Sequence, residues 1–125
     1  MNLLLDTHAF LWWIAGDMAL SPVARDLIGD TGNDIFVSAA SAWEIATKVR
    51  IGKLPGAAAI AADLAVAVEA QGFVPLPAHA QTAGALPGPH KNPVDRMLIA
   101  QAIADDMVLI SNETLFDAYG VRRLW

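Results

Sequence analysis

Along the 125 residues, short unbroken apolar runs alternate with longer segments whose apolar positions recur at helical spacing. The runs "NLLL", "DIFVS", "FVPLP", "MVLIS" and "VRRLW" predict strands. The prolines of the third predict a place near a sheet edge, because proline cannot donate to a ladder. Between the runs, "THAFLWWIAG" predicts a short helix closed by Gly16, and "SPVARDLIGD" a second with Ser21 as N-cap and Pro22 at the first helical position. "SAWEIATKVRIG" predicts a third helix, and the alanine-rich "GAAAIAADLAVAVEAQG" a single long fourth. "AHAQTAGALP" predicts a further helix, followed by the loop "GPHKN". The clearest helical pattern is "NPVDRMLIAQAIADD", where Val94, Leu98 and Ala102, with Ile99 and Ile103, form an apolar face.

Short apolar strands separated by helices imply parallel pairing through right-handed crossovers. The expected fold class is therefore α/β, a three-layer α/β/α domain with a central, mostly parallel sheet. The length predicts one domain over residues 1–125, and the sequence contains no internal repeat or low-complexity tail.

Composition narrows the picture. At 55% hydrophobic and 17% charged, the chain is rich in apolar residues, which predicts a well-filled core or a face covered by a partner. There is no cysteine, so disulfides and thiolate metal sites are excluded, and a reducing, cytoplasmic setting is expected. The opening run does not have the form of a signal peptide. The longest membrane-like stretch, "LPGAAAIAADLAVAVEAQG", is interrupted by Asp63 and Glu69 and predicts a soluble helix. The net charge of −5 speaks against broad phosphate binding by clustered cations, but is compatible with carboxylates gathered for a divalent ion.

Ligands of an open parallel sheet bind beyond the carboxyl ends of its strands. Four acids fall at such corners. Asp6 follows the first strand, Glu44 lies in the first turn after "DIFVS", Asp95 opens the long helix and Glu113 follows "MVLIS". Each has a purely structural alternative. Ser41 and Glu44 fit an S-x-x-E capping box, and Asn92, Pro93 and Asp95 fit N-cap, N1 and N3 positions. Ser111 fits a cap of a short helix near Thr114, and Asp6 a cap of the helix starting at Thr7. Capping alone does not require all four at one end of the sheet. Carboxylates crowded there repel unless a cation or protons hold them. Oxygen donors without cysteine point to Mg²⁺ or Mn²⁺, and the chemistry implied is metal-assisted phosphodiester hydrolysis.

The segments "LLLDTHAFLWW", "SAASAWEIATKVRIGKL", "NPVDRMLIAQA" and "LISNETLFDAYGVRRLW" resemble, in order, the successive motifs of PIN-domain proteins. Among these they are most similar to bacterial ribonuclease toxins of the VapC type, the toxin half of toxin–antitoxin pairs. The resemblance spans essentially the whole chain. It implies that Asp6, Glu44 and Asp95 are the main acids of a Mg²⁺ or Mn²⁺ site. Glu113 takes a fourth position where aspartate is usual, and is one methylene longer. Thr7 and Ser111, beside the acids, would hydrogen-bond them or a metal-bound water. The resemblance further implies a homodimer, an RNA substrate and a cognate antitoxin protein that inserts a peptide near the active site.

Lys48, Arg50 and Lys53 cluster after Glu44, and His90, Lys91 and Arg96 around Asp95. Both groups are candidates for phosphate contacts flanking an acidic centre, the alternative being a solvated helix face. Arg96 adjoins Asp95 and is a candidate to orient a carboxylate or the substrate. His8 is expected to pack or cap rather than bind. Of Leu11, Trp12 and Trp13, either a tryptophan faces outward toward an antitoxin or second subunit, or one fills the core with Leu11 while the other is partly exposed. Two other aspartate-dependent families are disfavoured. A haloacid-dehalogenase-type enzyme needs an acid two residues after the first, where His8 stands, and a receiver domain needs an acidic pair where Asp6 is followed by Thr7. A PIN-like module that binds nucleic acid or protein without cutting is the remaining rival.

Overall fold

A computed structural model describes residues 1–77 and 92–125; the helix expected over "AHAQTAGALP" and the loop residues 88–91, with His90 and Lys91, lie outside the described residues. The first strand, β1 (Asn2–Leu5), leads into α1 (Thr7–Ala15), which ends at Gly16 in the left-handed conformation that favours glycine. Then come α2 (Pro22–Gly29), capped by Ser21 as its sequence predicts, β2 (Asp34–Ser38) and α3 (Ala39–Arg50). A 3-10 turn (Pro55–Ala57), α4 (Ala58–Ala62) and α5 (Leu64–Ala70) precede the edge strand β3 (Val74–Leu76). The long helix α6 (Pro93–Ala104), β4 (Val108–Ile110), a 3-10 segment (Thr114–Tyr119) and β5 (Arg123–Leu124) complete the order.

The five strands form one sheet in the order β3-β2-β1-β4-β5, and every pairing among the described residues is parallel. The expected α/β/α class is therefore observed. Leu3, Leu4 and Leu5 are fully buried because both faces of the central strand are covered. Leu3 and Leu5 face a core built with Phe10, Ile28, Val37 and Ile45. Leu4 faces the opposite one, with Val94, Leu98, Ile99 and Phe116. β1 pairs with β2 on one side and β4 on the other, so the ends of three acid-bearing strands are neighbours.

Three local expectations are corrected. The single helix over "GAAAIAADLAVAVEAQG" is broken at Asp63, whose backbone is extended and whose carboxylate accepts from the Val66 amide at 3.2 Å. That local bond offers the chain an alternative to continuing the helix. Ile103 is 49% exposed and does not join the apolar face of α6. Its place is taken by Gln101, buried with its amide donating to the Pro77 carbonyl at 2.7 Å. Finally, α3 starts at Ala39 under Ser38, so Ser41 is no N-cap and Glu44 stands in the second turn. Among the described residues no helix is long and apolar enough to cross a membrane.

Candidate active site

Asp6 is the first residue past β1, and its amide still donates to the Ile110 carbonyl at 3.1 Å, extending the β1–β4 ladder by one step. Its backbone is extended, and Oδ1 accepts from the Ala9 amide at 2.7 Å as the N-cap of α1. The carboxylate also takes a hydrogen bond from the Ser111 side chain at the end of the neighbouring strand. Only 6% of Asp6 is exposed. That burial pushes its carboxyl above the ordinary aspartate value. The bonds from Ser111 and Ala9 and the nearby His8 pull it back, while the charge of Glu44 adds to the rise.

Thr7 and Ser41 are both buried, and the Thr7 hydroxyl donates to Ser41 Oγ at 3.0 Å. This bond joins the first turn of α1 to the first turn of α3, one turn before Glu44. The Glu44 carboxylate accepts an ion pair from Lys48 Nζ at 3.3 Å across one turn of α3. On the far side, Asn92 caps α6 with Oδ1 on the amides of Val94 and Asp95, and Asp95 falls at the third helical position. Beyond β4, Ser111 Oγ accepts from the Glu113 amide at 3.0 Å, and Glu113 Oε1 accepts from the Leu115 amide at 3.1 Å. Glu113 is thus itself the cap of the 3-10 segment, the role its sequence suggested for Ser111.

One cleft of about 440 Å³ is lined by Asp6, Thr7, Glu44, Lys48, Asp95 and Glu113, together with His8, Trp12, Asn92 and Asn112. All four candidate acids line this one cleft. Ser111 sits just behind them, bonded to Asp6. Arg96 is not among the lining residues, and its guanidinium reaches the Tyr119 hydroxyl at 3.5 Å. Lys53 lines two adjoining cavities instead, and Arg50 is exposed at the end of α3. His8 is not packed away as expected: it is exposed, lines the cleft and lies against the Trp12 ring. Trp12 and Trp13 are both partly buried against the same core, so neither is the freely exposed one. Sequence reasoning missed Asn112, although its place between Ser111 and Glu113 at a strand end is the signal that marked its neighbours.

The donor set is made of oxygens, and its most buried member resists ionisation unless positive charge stands near. The Lys48 ammonium stands beside Glu44 at 3.3 Å. Among the described residues no three acidic or histidine side chains are drawn close enough to enclose an ion unaided. Carboxylate oxygens as donors are of the kind a hard cation takes, alongside water and substrate phosphate oxygens.

Residues 3–121 match the family model of the PIN domain. No curated protein matches the chain. Among solved structures, the crystal structure of VapBC2 from Rickettsia felis bound to a DNA fragment from their promoter contains a similar chain. The two share 16% identity and a TM-score of 0.68, over 99% of this chain and 98% of that one, a likeness of fold.

Proposed function

This chain belongs to the PIN domain family, whose members are generally nucleases, and we propose that it is a divalent-metal-dependent endoribonuclease, the toxin of a toxin–antitoxin pair. The convergence of Asp6, Glu44, Asp95 and Glu113 on one cleft is the observation that carries this reading. Asp6, Glu44 and Asp95 would hold Mg²⁺ or Mn²⁺, with Glu113 contributing the oxygen that does not cap the 3-10 segment. When bound, such an ion neutralises phosphate charge and lowers the pKa of an attacking water.

The remaining work falls to the chain's own side chains. Ser111 and the Ala9 amide fix the orientation of the Asp6 carboxylate, and the Thr7–Ser41 bond holds α1 and α3 at a set separation. Lys48 balances Glu44 before substrate arrives and is then available to a phosphate oxygen. Arg96 supports this edge from its position beside Asp95. Hydrolysis makes one bond from the water oxygen to phosphorus and breaks the bond to the leaving sugar oxygen, which takes up a proton.

On this reading the chain is one PIN-like domain over residues 1–125, acting in the cytoplasm as a homodimer with a cognate antitoxin protein as partner. Trp43 and Ile51, exposed beside the cleft, supply apolar surface for such contacts. The similarity of fold to a VapBC2 chain supports the antitoxin partner.

The test is cleavage of RNA by purified protein with Mg²⁺ or Mn²⁺, with and without chelator, and with Asp6→Asn as control. Mapping RNA ends in cells that express the protein without its partner then locates the cut. Protein that binds no divalent ion and leaves RNA intact would overturn this reading in favour of a PIN-like module that only binds nucleic acid or protein.

A further inference from the structure

Beside the acidic cleft lies a second pocket of about 420 Å³, lined mainly by apolar residues of α1, the 3-10 turn Pro55–Ala57 and α4. Leu11, Ile14, Leu54 and Ile60 are among them, and Lys53 contributes a cation. His8 and Trp12 line both cavities, so their rings stand at the junction. The two ring centroids are 5.5 Å apart. Trp12 also lies against Trp125, at 5.7 Å and 60°. Trp12 is thus partly buried and in contact with two rings, while His8 remains exposed.

We propose that the His8–Trp12 pair is a stacking platform for an unpaired nucleobase next to the scissile phosphate, and that the adjoining apolar pocket receives that base. The proposal rests on the nuclease reading above and adds a means by which an unpaired strand is held next to the cut. Three observations carry it. The pocket shares His8 and Trp12 with the acidic cleft, so a base next to a phosphate held at Asp6 is within reach of it. The chain carries a net charge of −5, so little of its affinity for a polyanion comes from backbone pairing. Base stacking on aromatic rings supplies affinity without cations and tolerates any base. Among the described residues Lys53 is the one cation in the pocket lining.

The experiment compares RNA oligonucleotides carrying the mapped cut site with versions in which one nucleotide flanking the cut is abasic. For wild-type protein, loss of the base on the platform side is expected to lower kcat/KM about 5- to 150-fold, the equivalent of ~1–3 kcal/mol of stacking. Loss of the base on the other side is expected to cost less. His8→Ala and Trp12→Phe should each cut intact RNA more slowly and discriminate less against the abasic version. His8 is exposed, so its variant is informative even where a Trp12 variant folds poorly. Cleavage indifferent to both missing bases would overturn the platform while leaving the nuclease intact. The platform is equally overturned if His8→Ala and Trp12→Phe cleave normally but lose affinity for a partner protein, which would make the pocket a peptide site. No cleavage by wild-type protein under any divalent ion would overturn the nuclease reading itself.

Discussion

Thr7 donates its hydroxyl to Ser41 at 3.0 Å, a buried bond between residues 34 positions apart that ties the helix following Asp6 to the helix carrying Glu44. Thr7→Val leaves the Ser41 hydroxyl without this partner, at an expected cost of about 1–3 kcal/mol. The double variant Thr7→Val with Ser41→Ala removes both polar groups and should recover much of that loss. Denaturant titration of the four proteins measures the coupling. A simple sum of the single effects would show that the bond contributes nothing as a pair. Because the bond sets the spacing of two acids, Thr7→Val should also weaken divalent-ion binding.

Asp6→Asn is expected to abolish cleavage while making the protein more stable at neutral pH. Asn caps helices as well as Asp, so the bond from Ala9 survives the change. Burial raises the Asp6 carboxyl above its ordinary value of 3.8. Below 3.8 the group is neutral in both folded and unfolded chains, and its ionisation costs nothing. As pH rises through the higher folded value, the unfolded chain releases the proton more readily, and the wild type loses stability. Melting curves should therefore coincide near pH 3–4 (about the unperturbed aspartate pKa) and diverge toward pH 7, with the variant melting higher. Groups that merely support a metal ligand are typically worth about 10–100-fold, so loss of Asp6 should cost more than about 100-fold in rate.

Lys48 competes with any cation for Glu44. Lys48→Met should lower the divalent-ion concentration that half-saturates the site, while raising KM for RNA. Stability should change by less than about 0.5 kcal/mol, as for other helical pairs one turn apart that are partly exposed. Isothermal titration with Mn²⁺ reads the first effect directly. A rise in that concentration would show that Lys48 preorganises the acids rather than competing for them.

Arg123 grips Asp117 with two parallel bonds of 2.8 and 2.9 Å and gives a third, of 3.0 Å, to the Ser111 carbonyl. The Arg123 bond holds the Asp117 carboxyl below its usual 3.8. A depressed carboxylate adds stability above its unfolded pKa and loses it as pH falls through the folded one. Asp117→Asn should thus lower Tm slightly at neutral pH, with the difference vanishing below about pH 3 (under the ordinary aspartate pKa) and shrinking in high salt. Because Arg123 also holds Ser111, the variant should bind divalent ion more weakly.

Much of this was legible in the chain because it is local. Three leucines followed by Asp6 specify a central strand that ends in a helix cap, and Asn92–Pro93 specify the start of α6. The errors have a common cause in contacts between distant residues. "VSAASAWE" offers two serines as caps, and the S-x-x-E pattern selects Ser41. In the fold Ser41 turns inward to Thr7, a partner that no window around it contains, and Ser38 takes the cap. Ile103 satisfies the helical period, yet α6 buries Gln101 instead because the Pro77 carbonyl lies opposite. Asn112 and His8 acquire meaning only once the strand ends are side by side.

The strand order carries a consequence for how the protein comes into being. β1 is made before β4, yet β4, from residues 108–110, is one of its two partners, and Asp6 is not complete without Ser111. A nascent chain can pair β1 with β2 early, but the candidate cleft cannot form until β4 and the Asn112 and Glu113 that follow it have been translated. Sequence-distant pairing of this kind slows folding. On the proposed nuclease reading, a copy whose synthesis has not reached β4 still lacks the cleft that would cut.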